Sequence, residues 1–136
     1  MSKRPRVRQL WLSLGIFEMD VCVVITPDLD DFRTWMIKKF GPRSVDTMQS
    51  LHNGNTQGLC MVNVNGSSPV IWLRRVPYTA QDLATLAHES VHTLVNVFGY
   101  YGVPIDEKND EVFAHAMGPL MRSVLTTFRK RKKVKA

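Results

Sequence analysis

Nowhere do the 136 residues string together the eighteen or so apolar side chains that a membrane-spanning helix needs. Cysteine is almost missing. Its two copies, Cys22 and Cys60, sit inside apolar runs rather than at metal-ligand spacing, which excludes a disulfide-built scaffold and a cysteine-ligated metal cluster. Buried free thiols are the expected state, with one disulfide as the alternative. No segment repeats, so solenoid and propeller arrays are out. Composition leans to no extreme: 44% hydrophobic and 22% charged residues exclude disordered and fibrous chains, and the length suits one domain. The opening does imitate a secretory signal, with basic residues over 2–8 and apolar ones over 10–17. That apolar stretch stops after eight residues at Glu18 and Asp20 with no small-residue cleavage site, so it reads as the first strand of a cytoplasmic protein.

Positive charge is scarce where a domain surface would show it. The formal net charge is +6, yet ten of the eighteen Lys and Arg lie at the ends: Lys3, Arg4, Arg6 and Arg8, then Arg129, Lys130, Arg131, Lys132, Lys133 and Lys135. The other eight face all twelve acids, which leaves residues 9–128 at a formal −4. A domain of that sign is not a basic platform for nucleic acid. The chain reads as one domain, 1–136, with basic tails at 1–8 and 129–136. The second tail either solubilises the protein or contacts nucleic-acid phosphates.

Apolar and β-branched residues over 7–14 and 19–26 predict two strands. Pro27-Asp28 opens a helix through Lys39 with Phe32, Trp35, Met36 and Phe40 on one face, and Gly41-Pro42 stops it. Residues 43–57 are polar, include His52 and show no period, which predicts a surface loop. Alternation over 58–65 and 69–74 around Asn65-Gly66-Ser67-Ser68 predicts a hairpin. Its second strand starts at Pro69, which is tolerated at a sheet edge, and runs directly into the next helix. Thr79, with Asp82 three residues on, begins the best-marked helix. Leu83, Leu86, Ala87, Val91, Leu94, Val95 and Phe98 form its apolar face, and Gly99 ends it. A last helix starts near Asp106 or Asn109 and runs through Phe128. Gly118-Pro119 is expected to kink or split it, because Pro119 cannot donate to the carbonyl of His115. The fold class is α+β: a mixed or antiparallel sheet of about four strands packed on these helices.

Residues 88–92 read His-Glu-Ser-Val-His. On a helix, positions four apart stand one above the other, so His88 and His92 project together, roughly 6 Å apart along the axis. Two imidazoles so placed can hold one tetrahedral zinc ion. Glu89 then sits beside the metal's open position, where a carboxylate can take a proton from metal-bound water. The flanks Thr85-Leu86-Ala87 and Thr93-Leu94 carry no charge, so a polar triplet is set into an apolar helix. Burying two histidines and a glutamate there is costly without a partner, and a metal ion is one.

The stretch Thr85-Leu86-Ala87-His88-Glu89-Ser90-Val91-His92-Thr93-Leu94 resembles the extended signature of the zincin metallopeptidases, including the Thr three positions before the first histidine. Some twenty residues downstream, Asn109-Asp110-Glu111-Val112-Phe113-Ala114-His115 resembles the Asn-Glu segment of the gluzincin branch. Residues 69–121 as a whole look like small zincin-like proteins encoded in phages and prophages, which would work in the host cytoplasm. The resemblance implies a zinc-dependent metallopeptidase in which His88 and His92 bind Zn²⁺, Glu111 is the third ligand and Glu89 is the general base. Its substrate is a peptide or protein, bound as an added strand at a sheet edge beside the motif helix, for which 69–74, continuing directly into that helix, is the natural candidate. Glu107, one turn before Glu111, and His115, one turn after it, compete for the third position. The gluzincin pattern has an aspartate four residues after its third ligand; His115 stands there instead, a weaker orienter of a ligand histidine. Tyr100 and Tyr101, just after the motif, are either donors to a developing oxyanion or caps on the core. Arg74 and Arg75 either bind substrate or stand as solvated strand-end charges. Without turnover, the same domain would be a metal-binding interaction protein, associated with nucleic acid through its tails.

Overall fold

Strands that are apolar at every position, rather than at every second one, need both faces covered. Two runs here have that character, β2 (Asp20–Ile25) and β4 (Val70–Leu73): β2 is buried from Val21 onward and β4 throughout. They pair in parallel at the centre of a four-stranded sheet of order β1-β2-β4-β3. The computed structural model describes residues 7–15, 17–50, 56–62 and 68–129, with the backbone alone described over 47–50. The outer strands are antiparallel. β1 (Arg8–Ser13) pairs with β2 from Arg8↔Ile25 to Ser13↔Asp20, and β3 (Gly58–Met61) pairs with β4 from Gly58↔Leu73 to Met61↔Val70.

The expected hairpin therefore forms, with its first strand ending at Met61 rather than at residue 65; residues 63–67 lie outside the described ones. The expected edge is wrong. β4 is internal, hydrogen-bonded to β2 on one side and β3 on the other, and β3 is the edge strand among the described residues. Pro69 fits beside an inner strand, since it precedes β4 and contributes only its carbonyl, which accepts from Cys22 N at 3.0 Å.

Helices cover both faces of the sheet. α1 (Leu29–Phe40) packs Phe32 and Met36 on Cys22, Val24, Leu59, Met61, Val70 and Trp72. Trp72 is fully buried there, and its indole N–H donates to the carbonyl of Thr26 at 3.0 Å. After Gly41 the chain makes 3₁₀ turns over Pro42–Ser50, where a plain loop was expected. Ser44 turns its N–H and hydroxyl back to the Gly41 carbonyl, and Val45 tucks into the α1 face, so tight local turns suffice without a helical period.

On the other face, α2 (Ala80–Tyr100) and α3 (Asp110–Phe128) pack Leu86, Leu94, Phe98, Leu120, Val124 and Phe128 on Val21, Val23, Ile25, Ile71 and Leu73. They run antiparallel. Phe98 meets Phe113 at 5.5 Å near one end, and Arg129 Nε donates to Pro77 O at 2.7 Å near the other. Gly99 does not end α2. The helix continues to Tyr100, and Gly102 makes the left-handed turn at φ 69°. α3 is not split at Pro119 either: Gly118 and Pro119 are exposed, while buried Ala116, Leu120, Val124 and Phe128 hold one continuous face to the core. Among the described residues no helix is long and apolar enough to cross a membrane.

The start of α2 is the one the sequence marks. Thr79 accepts from Asp82 N at 3.1 Å, and the Asp82 carboxylate accepts from Tyr78 N and Thr79 N at 3.2 Å and from Arg75 Nε at 2.6 Å. Burial alone would raise the Asp82 carboxyl, but these donors hold it down at about 2. A carboxyl lowered from its usual 3.8 stabilises the fold fully above about pH 4 and loses that contribution as pH falls toward 2. Asp82→Ala is expected to lower stability by about 1–2 kcal/mol at pH 7. Urea unfolding should show the gap from wild type closing between pH 4 and pH 2; a gap independent of pH would refute this account.

Candidate functional site

Successive residues of a helix point roughly 100° apart. α2 turns Leu86, Glu89, Ser90, Thr93, Leu94 and Val97 inward, which places His88 and His92 on its exposed flank. The inward set is not the one expected, for Val91 and Val95 are exposed while Glu89, Ser90 and Thr93 are buried. The histidines are accordingly not buried: the His88 side chain is 67% exposed and that of Glu89 only 11%. The motif spans the boundary between core and solvent.

The histidine rings meet edge to face with centroids 4.7 Å apart, and their Nε2 atoms stand 3.1 Å from each other. Two nitrogens bound to one tetrahedral zinc at about 2.0–2.1 Å would be about 3.3 Å apart, so the pair fits two positions of such a site. Glu89 Oε1 lies 4.0 Å from His88 Nε2. Burial raises the pKa of the Glu89 carboxyl above its ordinary value, while His88 and His92 pull it back.

What buries Glu89 is the edge strand. A Cβ at Gly58 would lie 2.6 Å from Thr85 Cγ2, 3.2 Å from Glu89 Cγ and 3.3 Å from the Trp72 carbonyl. Only a glycine lets β3 descend this close to α2. Two residues on, Cys60 Sγ lies 3.1 Å from Thr93 Oγ1, and that hydroxyl donates to the Glu89 carbonyl at 2.8 Å. With the hydroxyl proton committed, the thiol is the donor. Burial is the main reason its pKa is pushed up to about 11, with Glu89 adding to it against the opposing Thr93 contact, so the thiol keeps its proton at neutral pH. Both cysteines are free, and burial pushes Cys22 up to about 12. Beside Glu89 the strand and helix enclose an open groove of about 410 Å³, lined by Thr56, Gln57 and Gly58 on one side and Gln81, Ala84, Thr85, His88 and Glu89 on the other.

The other candidates lie elsewhere. Glu111 Oε2 pairs with His115 Nε2 at 3.4 Å on the open face of α3, their side chains 82% and 76% exposed. Phe113 meets Phe98, six residues beyond His92, so the first turn of α3 lies roughly 9 Å further along the α2 axis than His92. Glu107 is in the exposed turn before α3. Among the described residues no three of His, Cys, Asp and Glu are grouped to hold one metal ion. Tyr101 stacks on Phe17 at 4.8 Å, the core-capping alternative, and Tyr100 is exposed roughly 18 Å along the helix from His88. Arg74 spends its guanidinium on the carbonyls of Thr56 and Pro27 and lies over Trp72, while Arg75 is tied to Asp82. Neither is a loose strand-end charge. His52 and residues 130–136 lie outside the described ones.

Sequence reasoning passes over Gly58, Cys60 and Thr93, which fix the edge strand against the motif helix. The one available signal is Gly58 itself, since a glycine opening an alternating strand marks a close backbone approach. Compared with protein-family models, with curated proteins and with solved structures, the chain matches none.

Proposed function

We propose that this protein is a zinc-dependent peptide hydrolase in which His88 and His92 bind the metal and Glu89 is the general base. The reading is carried by one observation: two imidazole nitrogens 3.1 Å apart and a sheltered carboxylate 4.0 Å from one of them, on a single turn of α2 beside an open groove. Bound zinc supplies Lewis-acid polarisation of a carbonyl and acidifies a water molecule. Glu89 Oε1 would accept a proton from the attacking water and would deliver it to the nitrogen of the leaving amine. Its partial burial makes the carboxylate a stronger proton acceptor than one in water. The groove reaches the start of β3 at Gly58, and β3, an edge strand among the described residues, would offer backbone groups to an extended peptide.

The third ligand implied by the resemblance is Glu111, which would have to leave His115 and swing toward His92. That existing pair favours a second reading, in which the domain binds metal without turnover. The test is metal content by elemental mass spectrometry on wild type, His92→Ala and Glu111→Ala, followed by cleavage of an unstructured protein such as casein. About one zinc per chain, lost with His92→Ala, is expected. Zinc retained by His92→Ala would sink the metal site. Zinc bound at full stoichiometry without cleavage of casein would favour the second reading.

A further inference from the structure

A helix on the surface of a domain ordinarily sets charged residues on its outer face. α2 does not. It has no lysine or arginine, and both of its carboxylates, Asp82 and Glu89, are buried. Ala84, His88, Val91, Val95 and Gly99 lie three or four residues apart on one exposed stripe, with His92 beside it. Val91 and Val95 are 41% and 46% exposed. Asn96, next to Val95, commits its amide to the His92 carbonyl at 2.8 Å. The outer face of α2 is thus an uncharged strip with two imidazoles at its middle.

Those imidazoles are half of a metal site. Their Nε2 atoms, 3.1 Å apart, fill two of the four positions around a tetrahedral ion, and they do so on the solvent side of the helix. Among the described residues no third ligand is grouped with them, and Glu111 is paired with His115 on α3.

We infer that a second copy of this chain supplies the missing ligands: the α2 stripes of two copies meet across a two-fold axis, and their four histidines share one zinc ion. This rests on the zinc-binding reading of His88 and His92 and gives that site a partner. A two-fold axis brings a surface against its own copy, so a stripe of one charge would repel itself, whereas valines there bury apolar area. The stripe is about 22 Å long on a helix about 10 Å across, a strip of roughly 220 Å² on each copy. A standard stable interface takes about 800 Å² per partner, so the helices alone do not hold the pair together and the metal is required. Four nitrogens close a tetrahedral site and leave no position for water, as in structural zinc sites. The dimer is therefore the resting form of the proposed hydrolase, and the working form is a monomer with a zinc ion of its own. Mass action selects between them: scarce zinc is shared, and abundant zinc loads each chain separately.

The experiment is sedimentation velocity of the full chain across a zinc titration, with metal content measured on each species. A monomer is expected in chelator, a dimer with one zinc per two chains at half an equivalent, and a monomer with one zinc per chain at large excess. His92→Ala should abolish the dimer. Val95→Lys sets two ammonium groups against each other at an exposed position. It should raise the concentration needed for the dimer by about tenfold or more while zinc uptake at excess stays at one per chain. Unchanged circular dichroism establishes that both variants are folded. A chain that takes up one zinc and stays monomeric at every ratio overturns the shared site and leaves the hydrolase reading standing. A chain that binds no zinc overturns both. A dimer that survives chelator or His92→Ala overturns the bridging metal, and one indifferent to Val95→Lys overturns the stripe.

Discussion

Glu89→Gln is expected to lower peptide hydrolysis by about 10²- to 10⁴-fold, with the protein still folded and its zinc content unchanged. The amide keeps the shape that fits under Gly58 and leaves both histidine nitrogens where they are, so neither the edge strand nor the proposed metal ligands lose a contact. It loses the negative charge and the basic lone pair that accept a proton from water. The loss should fall on kcat with KM nearly unchanged, since in the proposed reaction the carboxylate would act on the reacting water and not on the bound chain. Glu89→Ala is the less informative change, because it also leaves a void beneath β3. A Gln variant that keeps a tenth or more of wild-type activity would end the general-base role.

How far the sequence foretold this depends on which neighbours each element meets. The start of α2 is legible because its signals are local: Thr79 and Asp82 lie three residues apart and reciprocate within one turn. Its end was misread by one residue, as Gly99 is compatible with helix and Gly102 supplies the turn. β2 and β4 were found as strands from their apolar runs, but which of the four is an edge is decided by pairings between residues some fifty positions apart. Pro69 is tolerated at an edge but does not require one, and β4 pairs with β2 and with β3.

The site divides along the same line. His88, Glu89 and His92 come together because helix geometry alone brings positions four apart onto one side. Which of the three faces the core was not legible, for that depends on how α2 is rolled against β3 and β4. The apolar pattern of Leu83, Ala87, Val91 and Val95 suggests a different roll from the one adopted, which buries Ser90 and Thr93 and leaves both valines outside. Glu111 is implied by the resemblance, through an Asn-Glu segment some twenty residues beyond the motif. Spacing along a chain that reverses through an irregular turn does not fix distance, and the turn at Gly102 sets α3 down with Phe113 against Phe98 rather than against His92.

Gly58→Val offers the test that joins fold and site. The first carbon of any side chain at this position falls 2.6 Å from Thr85 Cγ2 and 3.2 Å from Glu89 Cγ, and the Trp72 carbonyl at 3.3 Å blocks escape toward β4. Thr85 can rotate only by giving up the bond from its hydroxyl to the Gln81 carbonyl, 3.1 Å long. The strand itself must therefore rise from the helix, stretching the Cys60–Thr93 contact that clips it down. Overpacking of this kind costs about 1–3 kcal/mol, and urea unfolding should report a loss in that range. The consequence for activity is larger. A displacement of about 1 Å between the groove wall and the reacting groups is enough for a loss on the order of 10²-fold, here with zinc content unchanged because neither histidine touches β3 through Gly58. Gly58→Ala should fall between wild type and valine in both measurements, since it adds the clash at Cβ and nothing beyond it. A valine variant as stable and as active as wild type would mean that β3 does not press on Glu89, and the groove would lose its wall.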